Sequence, residues 1–253
     1  MLISRTLILA GAVTGLLAQY DVVSVKPNSA NDNRFMFRFG ANLTGTGVTL
    51  KMLIMEAYNA RVFQISGGPG WIGNERWDIQ AKADNVQGRL PASQLRMMLQ
   101  TLLEDRFQLK IHSEIKEMPV YALRVGKNGS KLTPHVDGPP QPGEGSRWGS
   151  FNFQRLSTAM LATKLSLQLG RIVIDRTNLK GEYDVTLEWA YEPGQGGLEA
   201  LGLPADLEAP PAPDPNKPSI LIAVQEQLGL RLDSEKGPVE IIVIDHVEKP
   251  SGN

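Results

Sequence analysis

The chain contains no cysteine, and that absence excludes a disulfide framework, a thiolate nucleophile and a thiolate metal site. Histidine is scarce. His112, His135 and His246 form neither an HExxH nor an HxH pattern, so no metal site is expected. No G-x-S-x-G nucleophile elbow occurs. The glycines of GTG at 45–47 and GGPG at 67–70 lack the following GK[ST] of a phosphate loop and the G-x-G-x-x-G of a dinucleotide fold. Both are expected to be turns, and no cofactor is implied.

Neither sign of charge dominates: 26 Lys and Arg stand against 27 Asp and Glu, a net charge of -1. With a pI near 6.3, such a chain has no field to draw in nucleic acid. The apolar run Thr6 to Leu17 is short of the roughly 20 residues of a membrane-spanning helix. It follows Arg5 and ends at the small Ala18 before Gln19, so residues 1–18 read as a signal peptide. The mature chain is then expected to be secreted or periplasmic and without a membrane span, or membrane-anchored if this segment is retained.

What is present is ordinary globular composition, 42% hydrophobic and 21% charged, in 253 residues. That length exceeds the usual single domain and favours two. The chain is also similar to itself. FQLKIHSEIKEMPVYAL at 107–123 aligns, with a two-residue gap, to LGLRLDSEKGPVEII at 228–242. The alignment matches Phe107 to Leu228, Ser113 to Ser234, Glu114 to Glu235 and Pro119 to Pro238. Each copy follows an amphipathic stripe at i, i+3, i+4 and i+7: Leu95, Met98, Leu99, Leu102 and Leu103 first, then Ile220, Ala223, Val224 and Leu228. Ser93 is the predicted N-cap of the earlier helix, and Pro218 suits the first turn of the later one.

Leu50, Leu53, Ile54 and Ala57 form a third stripe, and a weaker helix is expected over Ser157 to Leu169. In ERWDIQAKA, Trp77, Ile79 and Ala81 alternate with polar residues, as do Tyr183, Val185, Leu187 and Trp189 in EYDVTLEW; both read as half-buried strands. YDVVSVK, RFMFRF and SFNFQRL are further strand candidates, and Gly170 and Gly229 sit where helices end. The expected fold is α+β, with two tandem domains built from αββ units. The first spans 19–126 and the second 151–248, joined by a Gly/Pro-rich linker at 127–150, with a mobile insertion at 191–218 inside the second. The two aligned segments are expected to be superposable β-hairpins, with Phe107 and Leu228 at equivalent core positions.

DVVSVKPN, LKMLIMEAY, ISGGPGWIGNERWDIQAKA, LLEDRFQLKIHSEIKEMPVYAL, VIDRTNLKGEYDVTLEW and GPVEIIVIDHVEKPS resemble a family of exported soil-bacterial proteins known as a domain of unknown function. The resemblance covers nearly all of the chain after residue 18 and supplies no catalytic residues. Some members carry the domain behind membrane metallopeptidases of the antirepressor type, which implies an extracytoplasmic sensor role. The order helix, LGRIVID, KGEYDVTLEW, helix, LGLRLDS, VEIIVI is also similar to the short N-terminal module of secretins and TonB-dependent receptors. That similarity implies a small interaction domain.

The candidate recognition surface is GGPGWIGNERWDI, where Trp71 and Trp77 accompany Arg61 and Arg76 around a glycine-rich turn. Aromatic and arginine side chains are frequent anchors of binding sites. The competing reading makes Trp77 core by its alternation and Trp71 a cap on the sheet. Glu182, Asp184 and Glu188 line one strand face, which reads as solvated. The expected function is a non-catalytic extracytoplasmic recognition module. Its partner would be a protein or another cell-envelope component, engaged by strand pairing, and not a nucleic acid. The alternative is an exported hydrolase of a polysaccharide or cell-wall fragment, with Glu56, Asp78 or Asp184 as acid and base.

Overall fold

The computed structural model describes residues 19–29, 35–83, 90–138, 144–147, 149–192, 212 and 214–250. The expected signal peptide at 1–18 and most of the expected insertion at 191–218 lie outside the described residues.

The fold is α+β and arranged as two similar halves. The first half runs β1 (Val22–Pro27), β2 (Met36–Arg38), β3 (Asn42–Thr49), α1 (Leu50–Ala57), β4 (Ile65–Gly67), the short α2 (Trp71–Asn74), β5 (Arg76–Lys82), α3 (Ala92–Phe107) and β6 (Lys110–Val125). The second repeats the plan: β7 (Thr133–Pro134), β8 (Gly145–Arg147), β9 (Ser150–Leu156), α4 (Thr158–Leu169), β10 (Val173–Asp175), β11 (Tyr183–Glu188), α5 (Ile220–Leu228) and β12 (Leu230–His246). Residues 127–150 thus contribute β7 and β8 to the second half.

Each half has its own antiparallel sheet, ordered β1-β5-β3-β2 in one and β7-β11-β9-β8 in the other. Trp77, Ile79 and Ala81 turn inward from β5, and Val185 and Leu187 from β11, as their alternation predicts. Helices α1 and α3 cover the first sheet through Leu53, Ile54, Leu99 and Leu103; α4 and α5 cover the second through Leu161, Leu165, Ala223 and Val224. Thr49 Oγ1 accepts from Met52 N at the start of α1, and Ser157 Oγ from Met160 N at the start of α4. Gly170 and Gly229 end their helices in the left-handed conformation. Two caps differ from expectation. Helix α3 begins after Pro91, so Ser93 lies inside its first turn, and Ser219 holds the N-cap position of α5, without a side-chain capping bond, with Pro218 before it.

A third sheet, β10-β6-β12-β4, joins the halves. The aligned segments are not hairpins. Each is one long strand, and β6 and β12 pair antiparallel in a single register from Val125–Leu230 to Ile111–Ile244. At about 3.3 Å per residue, strands of this length span roughly 50 Å. Ile111 of β6 therefore packs on the first core while Leu123 is buried in the second; Leu230 of β12 is buried in the second while Ile244 reaches the first. Phe107 and Leu228 do hold equivalent positions, each the last residue of its helix and each buried in its half's core.

The strands continue through Met118-Pro119 and Gly237-Pro238 for physical reasons. Tyr121 N bonds outward to Ile172 O, so in β6 the odd-numbered residues turn their N–H and C=O away from β12, and Pro119 is one of them. Gln64 Nε2 donates to Glu240 O on the outer edge of β12, which places Pro238 in the outward set there. Neither proline removes a ladder bond. Gly237 leaves room for Ile174, whose Cδ1 would lie 3.2 Å from a Cβ at that position.

Candidate functional site

The residues singled out from the sequence fall into two places. Trp71, the first residue of α2, meets Trp77 edge to face at 6.4 Å between centroids, and Trp77 meets Phe107 at 5.6 Å and 90°. Trp77 is 3% exposed, and its indole N–H has no hydrogen-bond partner among the described residues. Lys249 Nζ lies 5.8 Å from the Trp71 ring centroid and 2.6 Å from Glu75 Oε1, so the C-terminal segment covers the outer side of Trp71. Arg76 neighbours Trp77 on β5 and points to the other side of the strand; its carbonyl accepts from Asn28 N at 2.9 Å. Arg61 stands apart, with Glu56 and Arg96. Burial lowers its guanidinium from the ordinary value, with Glu56 opposing and Arg96 adding to the shift. The structure brings the two tryptophans together and leaves Arg61 on another flank.

The carboxylates are engaged by the fold. Asp78 Oδ1 accepts from Asn28 Nδ2 at 2.7 Å and from Gly47 N at 3.0 Å. Asp184 Oδ1 pairs with His135 Nδ1 at 2.7 Å and accepts from Arg155 N at 3.3 Å. Gly47 belongs to a bulge inside β3, where the register shifts between Gly45 and Val48, so GTG is strand and not turn. GGPG does turn the chain, with Gly67 and Gly68 in the left-handed region. Glu56 faces Arg96 Nε at 3.4 Å, Glu182 pairs with Arg155 and Glu188 with Lys217. Among the described residues no group of three or more His, Asp or Glu side chains is arranged to hold a metal ion. No helix among them is long and apolar enough to cross a membrane.

The surface that sequence reasoning missed is the outer edge of β6. Strand β10 pairs with it only at Tyr121–Leu123. From Ile111 to Pro119 no strand lies beside it among the described residues, so Ile111, Ser113, Ile115 and Glu117 present N–H and C=O groups outward. Ile115 is 69% exposed. On β12 the outward residues from Leu232 to Pro238 also lack a neighbouring strand among the described residues, since β4 pairs only at Ile242–Ile244. Arg171 lies across the face of the ribbon there, its Nη2 donating to Ser234 Oγ and Val120 O, both at 2.8 Å, while its guanidinium stacks on Tyr121. The signal that could have found the edge is outward Pro119 together with charge-rich HSEIKE, a sequence unsuited to a buried central strand.

One face of this edge is charged. His112 Nδ1 lies 2.8 Å from Asp245 Oδ1, its Nε2 3.1 Å from Glu114 Oε1, and Lys116 Nζ 2.8 Å from Glu114 Oε2. Both ring nitrogens face carboxylates, and only the imidazolium donates from both. The bond to Asp245, then that to Glu114, raises the His112 pKa above its ordinary value; Lys116 and then His112 lower that of Glu114. At the other end of the ribbon Arg124 bridges Asp233 and Glu235 at 3.2 and 2.8 Å. His112 thus stands where the second copy of the repeat has Asp233, with the charge order exchanged.

The model of a family described as Protein of unknown function (DUF3738) matches residues 51–247. No curated protein and no solved structure matches the chain.

Proposed function

The chain belongs to the family described as Protein of unknown function (DUF3738), and we propose that it acts by recognition, as an extracytoplasmic module that takes a partner strand on the open edge of β6. The observation that carries this reading is the row of outward backbone groups from Ile111 to Glu117, flanked by exposed side chains and ending where β10 begins. Main-chain bonding along such an edge supplies affinity, and the side chains on its two faces supply selectivity. The placement outside the cytoplasm is supported by the apolar run that ends at Ala18. The similarity to the secretin short N-terminal module agrees with an interaction role. Of the four residues singled out from the sequence, Trp77 is enclosed, and Trp71 follows β4 at the opposite edge of the third sheet with Lys249 against its ring. An exported hydrolase gains no support from Asp78 and Asp184, whose carboxylates hold backbone and side-chain donors in two separate sheets.

Ile115→Pro tests the reading, because this outward residue gives no N–H to the β12 ladder. The expected result is loss of partner binding with the folded state retained. In parallel, the purified chain is screened on polysaccharide, peptidoglycan, ester and peptide substrates. Turnover abolished by Glu56→Gln, Asp78→Asn or Asp184→Asn in a folded protein would overturn the recognition reading.

A further inference from the structure

We propose that the strand best fitted to this edge is β6 of a second copy of the chain, paired antiparallel with Ile115 on the twofold axis. The inference rests on the open edge being the recognition surface and adds the identity of its occupant. Outward groups belong to odd-numbered residues, so a second β6 must bond odd residue to odd residue. With Ile115 opposite its own copy, Ser113 faces Glu117 and Ile111 faces Pro119. The pairing then uses the whole open stretch and stops where β10 begins at Tyr121.

Charge selects this register. On the other face of the strand, Glu114 of each copy comes directly opposite Lys116 of the other, giving two symmetric ion pairs. Both side chains are accessible, at 41% and 49%. Directly opposed residues of opposite charge favour pairing, and like charges oppose it. The neighbouring registers all place like charges together. One sets Glu114 against Glu114, another sets Lys116 against Lys116, and a third sets Lys110 against Lys116 twice. This third register also opposes His112 and Glu114, but it carries Glu117 past the start of β6 and so leaves part of the open stretch unpaired. Ile115, 69% exposed in the single chain, would meet its own copy and be covered. A twofold contact of this kind is self-complementary, as an isologous interface requires.

The test is sedimentation velocity of the purified chain over a dilution series, with charge-reversal variants. The wild type is expected to show a monomer–dimer equilibrium. Glu114→Lys alone or Lys116→Glu alone should weaken association about tenfold or more, because each creates two like-charged pairs in the dimer. The double variant Glu114→Lys/Lys116→Glu should restore it, and Ile115→Pro should abolish it while unfolding as the wild type does at dilutions where the wild type is monomeric. A chain monomeric at every concentration, or a dimer indifferent to Ile115→Pro and to single charge reversal, overturns self-pairing. The edge reading is scored separately, by the loss of partner binding in Ile115→Pro, and can survive either result.

Discussion

Asp78 and Asp184 occupy the same position in the two halves. Each accepts, on its Oδ1, the backbone N–H of a left-handed residue in the neighbouring strand, Gly47 (φ 63°) or Arg155 (φ 54°). The same oxygen meets a side-chain nitrogen of the residue after a proline, Asn28 or His135. The backbone repeats the correspondence, since Asn28 N bonds to Arg76 O and His135 N to Glu182 O, both at 2.9 Å. A carboxylate with this pattern in both halves is a brace for the bulge that leads into a helix.

Removing the brace should therefore cost stability and no activity. Asp78→Ala and Asp184→Ala leave donors unsatisfied, and each is expected to destabilise by about 1–3 kcal/mol. In a chain of this size that lowers the melting temperature by roughly 2–4 °C per kcal/mol. Calorimetric unfolding checks it; unchanged melting temperatures would mean the braces are dispensable.

The two bulges predict opposite responses to glycine. Gly47→Ala places a Cβ in the left-handed region and should cost about 1–2 kcal/mol. Arg155→Gly relieves that strain and gives up exposed contacts to Glu182 and Asp137 that are worth about 0–1 kcal/mol. Denaturant titration should find Arg155→Gly near neutral or stabilising. Equal losses in both variants would contradict the equivalence.

The helices and most strands were legible because burial there follows a single period. Leu99, Leu102 and Leu103, or Trp77, Ile79 and Ala81, lie inward in the pattern that their spacing gives. The repeat was legible from Ser113/Ser234 and Glu114/Glu235, but its geometry was not. Met-Pro and Gly-Pro look like turns, and whether a proline faces a ladder or solvent depends on a partner strand far away in sequence. The WD of Trp77-Asp78 and the YD of Tyr183-Asp184 do mark the second repeated element. Their likeness shows only once the bulges of β3 and β9 are in place. The β6 edge left only the trace of Pro119 beside charge-rich HSEIKE, since its exposure follows from how short β10 is.

His112 should titrate above its ordinary value of 6.5 because Asp245, then Glu114, favour its charged form. Its folded-state pKa is raised, so its contribution to stability is complete below that ordinary value and fades as pH rises through the folded one. Glu114 is lowered, so its contribution holds above its ordinary value and fades as pH falls through the folded one. The charged row is thus intact between the two. A magnetic-resonance titration of the imidazole should show a midpoint that drops on Asp245→Asn; an unmoved midpoint would show that the pair does not form in solution.

Trp77→Phe removes an indole N–H that is buried without a partner. The volume lost costs stability, and the orphaned donor returned to none offsets part of it. Trp77→Leu lacks the aromatic edge that meets Phe107 as well and should be worse. Comparable losses in the two variants would show that the aromatic contacts contribute little.

The most direct measurement is residue-resolved amide exchange along β6 in dilute solution, repeated with the edge occupied by a bound partner strand. In the dilute chain, the outward amides of Ser113, Ile115 and Glu117 should exchange fast, while those of Glu114 and Lys116, bonded to β12, exchange slowly. Occupation should slow the outward set and leave the inward set unchanged. Uniform protection of all five amides in the dilute chain, or no slowing of Ile115 on binding, would contradict recognition at this edge.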